Sequence, residues 1–175
     1  MQRAFDMTAL ATSKEIDTAA RALLLAVFGS LDSLRLPVDL NQVAEYCGVA
    51  VRQGEFEDKT LEGALDRRTK AVFLSEAHAY ERKTFALAHE LGHFKLHDEV
   101  STDVFTRRGI DTLLTRNTTD PREYEADLFA ASLLMPEKLL RSLWTATGKD
   151  LDNLAKIFGV PTEVCHFRLT SLQLI

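Results

Sequence analysis

Five consecutive residues, His89-Glu90-Leu91-Gly92-His93, carry the pattern H-E-x-x-H. They fall inside a stretch from Ala79 to about His97 whose pattern is helical. On a helix, residues four apart stack on one face, so both imidazoles reach a single metal ion at Zn–N distances of about 2.0–2.1 Å. Glu90 sits about 100° around the helix from His89, placed to act on a water at the metal rather than to replace a ligand. With 5 histidines in 175 residues, chance supplies roughly 0.01 such pentads per chain of this composition, so the pattern carries weight. Leu87, Ala88 and Leu91 take the side away from His89 and His93, so the histidines need not be core residues. Gly92 costs about 1 kcal/mol against Ala in a helix interior, which points to something packed close to that backbone. The bland competitor is two surface histidines on an amphipathic helix.

Catalytic zinc takes three protein ligands plus a water. Candidates for the third are His97, Glu123, Glu125, Asp127 and other acids. His97 shares the stripe, but eight residues of straight helix separate it from His89 by about 12 Å, too far for one ion; it reads as a polar residue near the helix end. The glycine turn that returns a third histidine in H-E-x-x-H-x-x-G-x-x-H is missing. In Glu123-Tyr124-Glu125-Ala126-Asp127, Glu123 and Asp127 share a face and Glu125 points to the opposite side. One acid could then bind the metal while the next accepts the free N–H of a ligating imidazole. Ala126 and Ala130 beside that face would let the two helices approach closely. Solvated charges near a helix start are the alternative for all three acids.

Several elements must position these residues. Thr12 and Glu15 have capping-box spacing before a helix over 13–28, which Gly29 stops. A short helix follows Pro37, capped by Asp39 and ended by Gly48. Two or three strands are expected between 49 and 75, including Val49-Ala50-Val51 and Ala71-Val72-Phe73-Leu74, the latter a possible sheet edge over a cleft that holds an extended substrate. Residues 98–120 read as a long loop with one short helix at most. Asp120 caps a helix beginning at Pro121 and ending near Leu134. Helices over 137–146, 150–158 and Pro161 to about Leu172 close the chain. Four prolines, eight glycines and no repeat give no sign of a linker, so one domain over 1–175 is expected.

Composition narrows the class. Hydrophobic residues are 46 % and charged residues 27 %, an ordinary globular balance. The net charge of −5 argues against a nucleic-acid binder, so no direct nucleic acid partner is expected. Two cysteines, Cys47 and Cys165, make no disulfide framework and fit a reducing compartment. The longest apolar run, Ala22 to Phe28, is far short of the ~20 residues a spanning helix needs. MQRAFDM lacks a basic region leading into an apolar core, so a cytoplasmic chain with no membrane partner is expected.

The runs Phe85-Ala86-Leu87-Ala88-His89-Glu90-Leu91-Gly92-His93 and Glu123-x-x-Ala126-x-x-Phe129-Ala130-Ala131-x-Leu133-Leu134-Met135-Pro136 resemble the ImmA/IrrE family of bacterial and phage metallopeptidases. The likeness is strongest over 71–136 and continues more loosely to Leu154-Ala155-x-x-Phe158-Gly159-Val160 and Arg168-Leu169. It implies an α+β, zincin-like fold: a small mixed or antiparallel sheet packed on helices, with a helical carboxy-terminal part. It implies Zn²⁺ held by His89, His93 and Glu123, with Glu90 as general base. It also implies a protein substrate, a repressor-like transcription factor whose cleavage switches gene expression in a mobile element, prophage or stress response. His78, Tyr80, Tyr124 and His97 are candidates to stabilise the oxyanion. Two other readings stand beside this: a non-proteolytic regulator that binds a partner through the same fold, and a DNA-binding pair of carboxy-terminal helices turning at Gly159-Val160-Pro161-Thr162.

Overall fold

The computed structural model describes residues 11–97, 104–107 and 120–175. The first helix, α1 (Ser13–Phe28), begins at a full capping box: Thr12 Oγ1 accepts from Glu15 N, and Glu15 Oε2 accepts from Thr12 N at 2.7 Å. Gly29, at φ 76°, closes it. Asp39 caps the short α2 (Leu40–Tyr46) by accepting from Asn41 N and Gln42 N. Three strands follow, β1 (Ala50–Gly54), β2 (Gly63–Asp66) and β3 (Ala71–Ser75). A tight turn links β2 to β3, with Asp66 Oδ1 accepting from Arg68 N and Thr69 N.

The next helix, α3 (Tyr80–Leu96), carries the H-E-x-x-H residues and leads to β4 (Val104–Arg107). Helix α4 (Pro121–Leu134) starts as the sequence indicates, with Pro121 in its first turn and Asp120 Oδ1 accepting from Arg122 N. Helices α5 (Glu137–Ala146), α6 (Leu151–Phe158) and α7 (Thr162–Ser171) complete the chain. The fold is therefore α+β, with the sheet on one side of α3 and a helical carboxy-terminal part.

The sheet order is β1-β3-β2-β4. β1 runs parallel to β3, while β2 is antiparallel to both β3 and β4. This corrects one expectation: the Ala71 to Leu74 run is no edge. It is an interior strand, paired on both sides, with Ala71, Val72, Leu74 and Ser75 buried and Phe73 exposed. The edge at the other end is β4, which lies in the stretch read as a loop. Its pairing partner, Gly63–Asp66, lies forty residues back along the chain, so local pattern alone gives it little support. Residues 98–103 and 108–119 of the expected loop lie outside the described residues.

Helix α4 is the hub. Every residue from Glu125 to Leu134 is buried, enclosed by α3, α1 and α7. Burying Phe129, Leu133 and Leu134 contributes roughly 1.5–3 kcal/mol each. From Glu125 on the helix has no solvent face, and that decides the fate of Glu125 and Asp127. Helix α3 is likewise buried continuously from Thr84 to His93. Both histidines are at most 1 % exposed, so the amphipathic surface helix is excluded.

Candidate metal centre

Helices α3 and α4 meet at Gly92. A Cβ built there would lie 3.1 Å from both Cα and O of Ala126 and 3.3 Å from the Phe129 ring. The glycine is the close backbone approach its helical cost implied, and it is what lets side chains from the two helices converge.

They converge at one point. His89 Nε2 and His93 Nε2 are 3.0 Å apart. Glu123 Oε2 is 3.2 Å from His89 Nε2, and Glu123 Oε1 is 3.1 Å from His93 Nε2. Three donors of a tetrahedral ion bound at 2.0–2.1 Å lie roughly 3.3 Å apart, so this triangle has the size of one face of such a site. Two imidazole nitrogens and one carboxylate oxygen are also the donor set of a hydrolytic zinc centre. The two histidines are buried, whereas the Glu123 side chain is 31 % exposed, so the triangle opens to solvent on the Glu123 side.

The electrostatics suit a cation. Burial pushes His93 down to about 4, against the opposing hydrogen bond to Glu123, and the low value keeps its ring neutral and able to coordinate. Burial would raise Glu123, but its hydrogen bonds with His89 and His93 win and hold it well below the usual carboxylate range.

A second layer fixes the rings. Asp127 Oδ1 lies 2.7 Å from His89 Nδ1, as the one-turn spacing from Glu123 indicated. Glu125 does leave the Glu123 face, but it is not a solvated charge. It is buried, with Oε2 2.9 Å from His97 Nε2 and Oε1 accepting from Ala11 N at 2.6 Å. The enclosure of α4 is the reason. His97 does stand at the helix end, as its C-cap, but it is buried: it is 6 % exposed, and its Nδ1 lies 3.0 Å from His93 Nδ1. The sequence signal for this pair was the eight-residue stripe His89, His93, His97, set aside because His97 cannot reach the same ion. Arg67, in the β2–β3 turn, donates to the backbone carbonyl of His93, and its guanidinium lies 5.7 Å from the centre of the Phe94 ring.

The other candidates scatter. Tyr80 stands 60 % exposed at the first turn of α3, nine residues from His89. His78 precedes that helix. Tyr124 packs edge-on against Phe167, ring centres 6.0 Å apart. Glu90 is fully buried beside His89. A cavity of about 940 Å³ between α1 and α5 is lined by none of these residues. In α7, Val164, Cys165, Arg168 and Leu169 are buried against the fold.

The sequence matches the model of the IrrE N-terminal-like domain, a peptidase family, over residues 44–170. The chain belongs to this family. That agrees with the ImmA/IrrE resemblance and makes it a member of a metallopeptidase family, for which a metal ion is implied. Immunity region protein 2 of Bacillus phage phi105 is 33 % identical over 103 residues, covering 59 % of this chain and 61 % of its own. Metallopeptidase ImmA of Bacillus subtilis is 27 % identical over 108 residues, covering 61 % and 60 %. The chain thus spans about 60 % of the length of these relatives. A Mycobacterium tuberculosis transcriptional regulator shares the fold, with a TM-score of 0.67 at 20 % identity over 91 % of this chain and 47 % of the other. Among the described residues, no helix is long and apolar enough to cross a membrane.

Proposed function

We propose that this IrrE-like domain is a zinc-dependent endopeptidase that cleaves a regulatory protein partner, a repressor-like transcription factor. The observation that carries the reading is the triangle of His89, His93 and Glu123 donors at 3.0–3.2 Å. Zinc bound there would lower the pKa of water toward ~7 and polarise a scissile carbonyl. His89 and His93 supply neutral nitrogens, and Glu123 supplies the negative charge and lines the open side. Glu90 takes a proton from the attacking water and delivers it to the leaving amine as the C–N bond breaks. The outer edge of β4, which carries no strand among the described residues, offers backbone groups to an extended substrate segment.

A regulatory target is supported by the phage immunity-region relative. Protein purified without chelators should contain about one zinc per chain. His93→Ala should contain none. Wild-type protein that neither carries zinc nor takes it up on reloading would overturn the proposal.

A further inference from the structure

Both candidate histidine ligands offer Nε2 to the triangle, so with a metal bound there each must carry its proton on Nδ1. His89 has a carboxylate, Asp127, at Nδ1. His93 has an imidazole there instead, His97 at 3.0 Å, and an imidazole accepts a proton only in one of its two neutral tautomers. What selects that tautomer lies one step further out. The Glu125 carboxylate accepts only; Oε1 takes the Ala11 amide and Oε2 faces His97 Nε2 at 2.9 Å. His97 must then donate from Nε2, which leaves its Nδ1 lone pair facing His93. All members of this chain are buried or half-buried, so water does not replace them easily.

We propose that His97, oriented by Glu125, is a positioning residue that fixes the tautomer and ring plane of His93, so that Nε2 of His93 is held ready for the metal. The proposal rests on the zinc-site reading for its purpose, but its geometry stands apart from it. It gives His97 a role that does not require it to touch the ion, and Glu125 a role distinct from that of Glu123. It also ties the chain just ahead of α1 to the metal centre, since Ala11 N and His97 Nε2 share one carboxylate.

The test combines ring-nitrogen spectroscopy with variants. Long-range ¹H–¹⁵N correlation spectra of the full chain, with and without zinc, should show His97 protonated at Nε2 and not at Nδ1. With zinc, His93 should be protonated at Nδ1. His97→Leu should weaken zinc binding about 10–100-fold in competition with a chromophoric chelator. His97→Gln, whose amide can donate to Glu125 and accept from His93, should recover to within about threefold of wild type. Glu125→Leu should match His97→Leu, and the double variant should lose little more than either. His97 protonated at Nδ1, a folded His97→Leu protein that binds zinc like wild type, or a His97→Gln protein as weak as His97→Leu would each overturn the proposal. If zinc does not bind at all, the zinc reading fails, while the metal-free spectrum of His97 still decides this one.

Discussion

Asp127 Oδ1 lies 2.7 Å from Nδ1 of His89, so a residue on α4 sets the orientation of a ring on α3. Because Glu123 reaches the same ring at Nε2 from the preceding turn, the two acids grip opposite nitrogens of one imidazole. Their contributions should separate cleanly. Glu123→Ala removes a donor and should abolish tight zinc binding. Asp127→Ala leaves all three donors and should weaken binding about 10–100-fold. Isothermal titration of both variants checks the order; equal losses would mean Asp127 coordinates directly.

Gly92→Ala gains up to about 1 kcal/mol of helix propensity. It also forces a methyl against the Ala126 backbone at 3.1 Å, where neither helix gives way easily. Overpacking of this kind costs about 1–3 kcal/mol, so the variant should be no more stable than wild type in urea and should bind zinc more weakly. A fully stable variant with unchanged zinc affinity would show that the helices need not approach so closely.

Arg168 is 1 % exposed, bonded to Asp17 Oδ1 at 2.6 Å and to the Met135 carbonyl. It fastens α1 and α7 to the end of α4. Asp17→Ala strands a buried guanidinium and should cost about 3 kcal/mol in chemical denaturation. The double variant Asp17→Leu with Arg168→Met should regain part of that, because no charge remains inside.

Burial pushes the Cys165 thiol up to about 12, and burial also raises Cys47. Both should stay thiols at pH 8, since only the thiolate reacts. A thiol reagent should label Cys47 slowly and Cys165 only on unfolding. Rapid labelling of Cys165 in the native protein would show that α7 opens readily.

How much of this was legible depends on how local each feature is. His89, His93, Glu123 and Asp127 lie on two helices whose periods and caps are written nearby, and the four-residue spacing puts each pair on one face. Gly92 flagged the helix contact by its cost alone. The contact between Glu125 and His97 was not legible, because it requires this part of α4 to be buried against its neighbours, which a neighbour-by-neighbour pattern does not reveal. β4 was missed because Val104–Arg107 pairs with β2 forty residues away. The interior place of β3 is also a matter of topology rather than of its own residues.

The central claim is proteolysis of a chosen partner through Glu90. Tagged Glu90→Gln protein should keep its zinc and retain that partner, which is then isolated and incubated with zinc-loaded wild type and with the variant. Wild type should cut it at one or a few positions while leaving casein whole, and Glu90→Gln should leave it intact. Cleavage by zinc-loaded Glu90→Gln at the wild-type rate, or a captured partner that zinc-loaded wild type never cuts, would contradict the account.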